Sequence, residues 1–538
     1  MPSSPDLRQP PRSRTTPFGT QLAELVWLRS LTSADHPFVE HLRTGRRVTF
    51  GALRRAVARW ALLLDDLGVG LGDTVGIAVA DPVDFAMVFL GTMAAGRVAA
   101  PLDPAAPDAE LEAVCGRVRP AVVLSDRTAP EGASRTAPDG ADRTAPDGGV
   151  ADWVVLRPGS FELTDADPSA PSVLPPALGA TPAGGWADAS PGAGGLVLST
   201  SGTTGAPKLI RLGERQLLHT AGSVAAHHQL SVADRGFSPL PLFHINGEVV
   251  GLLSSLVAGS TLVLDDRFHR TRFWELMAEQ RITWINAVPA IIARLAPLRD
   301  GEAVPADIRF VRSASAPLPA VTLQRFEEAT GLAVIETYGM TEAGSQITAN
   351  PLHGPRKPGS VGRPIGVDLR ILGDQVQIRG PGVITAYAGA GYEDRFDADG
   401  WLDTGDLGYL DDDGYLFLVG RADDVINRGG EKILPREVEE TILADPDVRA
   451  VVVVGWDHQV LGRVPVAFLV ADGVMGDDDR QRAEAIVGRL QDRCARDLSR
   501  PKRPVAFHVV EQLPAGTNGK IRRSQVGRDV AIYSLLVS

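Results

Sequence analysis

The stretch VTFGALRRAVARWALLLDDLGVGLGDTVGIAVADPVDFAMVFLGTMAAGRVAAPLD, residues 48–103, decides the fold class. Its first segment, VTFGALRRAVARWALLLDDLGV, places apolar residues at helical spacing. DTVGIAVA then forms a short continuous apolar run, DFAMVFLGTMAAG returns to helical spacing, and RVAAPLD is extended. A short apolar run between two helical segments predicts a strand buried on both faces. Repeated alternation of this kind predicts a largely parallel sheet with helices on both sides. The expected class is α/β, with a large N-terminal domain of mostly parallel sheets flanked by helices.

The pattern changes near residue 421. GYLFLVGRADDVINRGGEKILPREVEETIL passes from a strand through a charged, glycine-bearing turn to a new helix. VRAVVVVGWD, VPVAFLVA, a helix over 480–498 and PVAFHVVEQL follow. This predicts a small α+β unit over 422–538, hinged at Arg421–Asp424, behind a larger domain over 18–421.

At 538 residues the chain exceeds what one ordinary core organises. Hydrophobic residues make up 44% and charged residues 22%, the balance of a globular protein. A formal charge of −12 argues against a dedicated binder of nucleic acid or anionic membrane. With two cysteines, Cys115 and Cys494, neither a disulfide framework nor a cysteine metal site is expected, and a reducing cytosol fits. Residues 1–17, MPSSPDLRQPPRSRTTP, are basic and proline-rich, lack a signal peptide's apolar segment and are expected to be disordered. VVGLLSSLVAGSTLVL, 249–264, is too short for a membrane span and reads as a buried helix, a turn and a strand. A cytoplasmic protein without a membrane span is expected; no pattern sets its oligomeric state. Arginines 127, 135 and 143 open a repeat (RTAPEGAS, RTAPDGAD, RTAPDG) with little to bury, so 127–150 reads as a disordered surface insertion.

Five segments carry candidate chemistry. LSTSGTTGAPKLI, 198–210, follows a buried-strand run and offers hydroxyls, glycines and Lys208 to an anion. Pro207 and the extended residues after Lys208 exclude a Walker loop opening a helix, and an ordinary mobile turn fits the loop equally well. ETYGMTEAG, 336–344, brings Tyr338, Thr341 and Glu342 to a polar turn, where a carboxylate suits Mg²⁺ and a tyrosine suits a base; a solvated loop is the alternative. DGWLDTGDLGYL, 399–410, puts Asp403 and Asp406 on a glycine-flanked turn, as ribose ligands or as turn-capping residues. Arg421 adds a fixed charge near the same place, and LPAGTNGKIRR, 513–523, exposes Lys520 on a glycine turn.

In this order and spacing the segments resemble the adenylate-forming enzymes: acyl-CoA synthetases, peptide-synthetase adenylation domains and luciferases. PLPLFHINGE, SASAPLP and GWLDTGDLGYLDDDGYLFLVGRADD belong to the same match, which runs from about residue 48 to 525. The resemblance implies a large N-terminal domain and a small mobile lid. It implies that a carboxylic acid and ATP give an acyl-adenylate and pyrophosphate, after which a thiol displaces AMP. Ser201, Gly202, Thr203, Thr204, Gly205 and Lys208 would then cradle the outer phosphates, and Thr341 and Glu342 would serve phosphate and Mg²⁺. Thr337, Tyr338, Gly339 and Met340, with the backbone of Ser315 and Ala316, would hold adenine. Asp406 and Arg421 would hold ribose, Asp423 would be the hinge residue, and Lys520 would contact the carboxylate and the α-phosphate.

The chain departs from the family in having Leu209 where glycine usually follows the loop lysine. LRILGDQVQIRGPG, 369–382, also looks like a shortened hairpin. His244 is expected to gate the acid pocket and thiol tunnel, or else to be a buried structural histidine. Asn246, Glu248, Asn286 and Ser313 are too polar for a long-chain acid tunnel, so a small polar or aryl acid is expected. The expected acceptor is CoA, with a separate acyl carrier protein, an amine or another nucleophile as alternatives. A catalytically silent binding homologue remains the other reading.

Overall fold

The computed structural model describes residues 21–126, 152–155, 194–200, 208–389, 392–474, 479–514, 521–527 and 531–536. The expected disordered segments, 1–17 and 127–150, lie outside these residues, as do Ser201–Gly205 and Lys520.

The opening stretch folds as its alternation requires. Arg47–Thr49 is a strand, Phe50–Asp66 a helix, Thr74–Ala78 a strand, Pro82–Ala94 a helix and Val98–Pro101 a strand. Thr49 caps the first helix by accepting the Ala52 N–H, and Asp81 caps the second by accepting from Val83 and Asp84, with Pro82 at its first position.

Two sheets follow from the alternation. One has nine strands in the order Arg363–Pro364, Thr348–Ala349, Val334–Tyr338, Phe310–Ser313, Trp284–Ala287, Arg235–Ser238, Thr261–Leu264, Pro37–His41, Arg47–Thr49. Its six central strands are parallel and its edge strands antiparallel. The other has six strands, in the order Asp152–Val155, Val122–Ser125, Thr74–Ala78, Val98–Pro101, Gly195–Thr200, Lys208–Gly213, with only the last antiparallel. All 13 residues of Pro82–Ala94 are buried, and the helix shares one hydrophobic core with Val39 and Leu262 of the first sheet and Val75 and Leu196 of the second. A helix whose only polar side chains are Asp84, bound to Arg46, and Thr92 fits where both flanks are covered.

VVGLLSSLVAGSTLVL becomes the buried helix, turn and strand that its pattern predicts. Gly259 makes the turn at φ +75° before strand Thr261–Leu264. The helix opens, however, as a π-helix over Asn246–Leu253, a geometry often found at functional sites. The shortened hairpin is also present: Asp368–Leu372 and Gln375–Arg379 pair antiparallel with Leu372 opposite Gln375.

Beyond residue 425 the chain forms a separate six-stranded sheet, with helices Pro435–Leu443 and Arg480–Asp497. Its two hydrophobic cores draw all their members from residues 426–535. Both cysteines are free and sit in helices, where burial pushes each thiol up to about 11. Among the described residues no helix is long and apolar enough to cross a membrane.

One buried acid gives the fold a pH dependence. Glu214 accepts the N–H of Leu22 in helix Gln21–Thr32, and burial raises its carboxyl to about 8 from the ordinary 4.5. As pH rises from 4.5 to 8, the unfolded chain releases this proton first, so Glu214 subtracts stability across that window. Glu214→Gln retains an acceptor oxygen and abolishes the titration. Urea unfolding at pH 5 and pH 8 should show the variant losing less stability over the interval than the parent; equal losses would refute a neutral Glu214.

Candidate active site

The hairpin of strands Gly195–Thr200 and Lys208–Gly213 sets the first part of the site. Thr200 pairs with Lys208 and Ser199 with Leu209, so Leu209 fits a regular ladder and the intervening loop joins antiparallel strands rather than opening a helix. Lys208 Nζ lies 5.2 Å from the Tyr387 ring centroid and 4.7 Å from that of Tyr392. Burial lowers its pKa, and the neighbouring Arg395 lowers it further, while Glu342 opposes them.

Glu342 comes from the turn predicted after strand Val334–Tyr338. Thr341–Ala343 is one 3-10 turn, and Gly339 precedes it because a side chain has no room there: a Cβ would lie 1.5 Å from the Ser345 carbonyl oxygen. Glu342 is buried, accepts a 3.0 Å hydrogen bond on Oε1 from the Tyr387 hydroxyl, and is tied through its carbonyl to the Ile384 N–H. The Tyr387 phenol is in turn held protonated, by burial first and then by the carboxylate.

Asp406 differs from expectation in its local structure. The segment read as a glycine-flanked turn is a continuous strand, Leu402–Leu410. Gly405, at φ +76°, and register shifts in both neighbouring ladders let the strand bend without breaking its pairing. Asp403 turns back to accept the Gly405 N–H at 2.8 Å, as its turn-capping reading requires. Asp406, only 9% exposed, accepts the Tyr338 hydroxyl on one oxygen and Arg421 Nη1 at 3.0 Å on the other. Burial works against the Arg421 charge, yet Asp406, Tyr338, Asp423 and Asp424 together raise its pKa. Arg421 and Arg395 converge on Gly405, each with a terminal nitrogen 2.9 Å from where a Cβ would stand. Three regions distant in sequence, around 208, around 342 and over 395–421, thus bring together Lys208, Arg395 and Arg421 with Glu342 and Asp406.

The chain belongs to the AMP-binding enzyme family. The family model matches residues 29–388, and that of the AMP-binding enzyme C-terminal domain matches 437–520. Sulfoacetate–CoA ligase of Cupriavidus necator is 36% identical over 529 residues, 95% of this chain and 98% of the relative. Oxalate–CoA ligase of Arabidopsis thaliana is 34% identical, covering 88% and 91%. The o-succinylbenzoate CoA synthetase of Bacillus subtilis superposes with a TM-score of 0.76 in complex with its acyl-adenylate intermediate, at 27% identity and 93% and 97% coverage. With ATP and a magnesium ion it superposes at 0.74, with 26% identity and 93% and 98% coverage. The fold is accordingly the α/β adenylate-forming fold, with its large N-terminal domain and its C-terminal domain.

In this AMP-binding enzyme the adenine candidates line the carboxyl ends of adjacent parallel strands, where open α/β sheets bind ligands. Ser315 is exposed just beyond Phe310–Ser313, in the left-handed region at φ 73°, with Ala316 half-buried beside it. Thr337 donates to the Ser313 carbonyl at 2.9 Å, and the Met340 carbonyl accepts from Ala343 and Ser345. His244 is partly buried, its ring 4.7 Å from that of Phe243, and burial lowers its pKa, favouring the neutral imidazole. Glu248 is wholly buried with no partner for either oxygen among the described residues, and burial pushes its carboxyl strongly up, towards the neutral acid.

Sequence reasoning passed over Tyr387, Tyr392 and Arg395, which no motif contains, and Arg312. The last had a signal: it is the one charged residue of the short strand run FVRS, 310–313.

Proposed function

We propose that this AMP-binding enzyme is an AMP-forming acid–CoA ligase for a small polar or aryl carboxylic acid. The observation carrying this reading is the convergence of Lys208, Arg395 and Arg421 with Glu342 and Asp406 beside the strand ends. Three cations suit a polyphosphate, and the acids suit a divalent ion and a sugar diol. The relatives' names, sulfoacetate and oxalate CoA ligases, support both the acid class and CoA as acceptor over a carrier protein.

In the first half-reaction a carboxylate oxygen of the acid attacks the α-phosphorus of ATP, and the bond to pyrophosphate breaks. Positioning and charge neutralisation supply most of the catalysis, because two anions must meet. Lys208 and the loop of Ser201–Gly205 hold the departing pyrophosphate; Thr341 contacts phosphate. Tyr338, with Thr337, Gly339, Met340 and the backbone of Ser315 and Ala316, frames adenine, while Asp406 and Arg421 hold ribose. Glu342 fits Mg²⁺: Tyr387 occupies Oε1, leaving Oε2 as a hard oxygen donor. When bound, the ion neutralises phosphate charge.

In the second half-reaction the CoA sulfur attacks the acyl carbonyl carbon, and the bond to AMP breaks as the thioester forms. We assign the large domain to 18–421 and the mobile lid to 422–538, turning about Asp423. Support comes from the self-contained cores beyond residue 425. Lys520 on the lid meets the reacting oxygens in one lid position and withdraws in the other, with His244 beside the thiol path.

The test is pyrophosphate release from ATP over a panel of acids, with and without CoA. Acid-dependent release, followed by thioester formation only when CoA is present, is expected. No release with any acid would overturn the reading in favour of a silent binding homologue.

A further inference from the structure

Three arginines are buried among the described residues: Arg97, Arg270 and Arg312. Arg97 is paired with Asp65, and Arg270 with Glu302. Arg312, the most buried at 1% exposure, has no carboxylate partner among the described residues. Burying an unpaired charge is costly, and burial alone lowers this guanidinium to about 9, an unusual value for an arginine. Such a cost is tolerated where a charge has work to do.

Its surroundings are polar but neutral. Arg312 Nη1 donates to Asn246 Oδ1 at 3.1 Å and Asn286 Oδ1 at 3.2 Å, and Nη2 donates to Gln346 Oε1 at 3.2 Å. Three carboxamides therefore orient the guanidinium without neutralising it. Histidines 227 and 228 are driven towards their neutral forms, by burial first and then by the Arg312 charge. Glu248 is not a counter-ion, because neither of its oxygens has a partner. Arg312 Nε, Gln346 Nε2 and Ser313 Oγ are also buried without partners among the described residues. Asn286, Arg312 and Ser313 stand at the carboxyl ends of two adjacent parallel strands, where Asn286 pairs with Arg312 and Ala287 with Ser313, and Gln346 lies just beyond the Glu342 turn. Asn246 links the cluster to the candidate nucleotide site by donating to Ser315 Oγ at 3.4 Å.

We infer that Arg312 is the anchor for a second anionic group on the acid, so that the enzyme selects small dianionic acids in which one carboxylate is activated and the other anion pairs with Arg312. This rests on the ligase reading and narrows its substrate class. An anionic oxygen makes a stronger, charge-assisted bond to guanidinium than an amide oxygen does, so it can displace one carboxamide. Sulfoacetate, oxalate and o-succinylbenzoate, named for the relatives, each carry two anionic groups. Arg312 is a specificity residue here, remote from the bonds that change.

The test compares matched acids differing in one charge: oxalate with oxamate, and malonate with its monomethyl ester. Acid-dependent pyrophosphate release is measured for the full-length parent, Arg312→Gln and Arg312→Lys, with melting curves as a check on folding. The parent should favour the dianion of at least one pair. Arg312→Gln should lower kcat/KM for that dianion about 100-fold, mainly through KM, and leave the monoanion within about threefold. Arg312→Lys should recover part of the preference. Equal losses on both members of a pair, or a parent that activates only monoanions, would overturn the anchor and leave the ligase reading intact. No release with any acid overturns both.

Discussion

Lys520→Ala is expected to abolish adenylation while sparing the second half-reaction. The acid and the α-phosphate are both anionic, so their approach depends on a cation that meets both at the reacting oxygens. Removing such a donor costs on the order of 10²–10³ in rate, and more where it offsets direct charge repulsion. The thioester step starts from a neutral acyl carbonyl, with the lid withdrawn in our reading. Acid-dependent pyrophosphate release should therefore fall at least about 1000-fold, while a supplied acyl-adenylate and CoA still yield thioester at near the parent rate. Unimpaired pyrophosphate release would remove Lys520 from adenylation. Equal loss of both steps would point to damage to the lid itself.

Asp406→Ala is the second large effect. The carboxylate serves two partners at once, the Tyr338 hydroxyl and Arg421. Truncation removes the acceptor of the half-buried Tyr338 hydroxyl and the carboxylate bonded to the partly buried Arg421, which keeps only Asp423 and Asp424 to offset its charge, and each such loss costs about 1–3 kcal/mol. It also removes the proposed ribose ligand. The expected outcome is a rise in KM for ATP with kcat/KM for ATP down about 100- to 1000-fold, and a smaller change in KM for the acid. A variant that binds AMP as tightly as the parent would refute the ribose role, whatever its stability.

The architecture was legible because its evidence is local and repetitive. Strand Thr74–Ala78 is buried beyond its first residue and helix Pro82–Ala94 along its whole length, with Asp84 and Thr92 its only polar side chains, and only a doubly covered position accommodates them. The nucleotide candidates were legible as motifs, since glycines and hydroxyls at fixed spacing mark turns that approach an anion. The strand at Asp406 was misread as a turn because glycine signals a bend and a bulge alike, and only the neighbouring ladder tells them apart. Arg395 and Tyr387 were invisible because their importance comes from long-range convergence: Tyr387 reaches Glu342, 45 positions away. The Arg312 cluster joins positions 246, 286, 312 and 346, whose proximity is created by strand order.

The helix Pro82–Ala94 also sets an order of events in synthesis. Every residue in it is buried, and although helices Gln21–Thr32 and Phe50–Asp66, which precede it, supply part of its cover, two strands that share its core, Gly195–Thr200 and Thr261–Leu264, begin 101 and 167 residues after its last residue (195 − 94 and 261 − 94). While the chain emerges from the ribosome, the flank those strands cover waits for more than a hundred residues of translation. Contacts so distant form late, and uncovered apolar segments invite aggregation in the meantime. The interval includes the arginine-led repeat at 127–150, so lengthening that repeat extends the exposure of that flank.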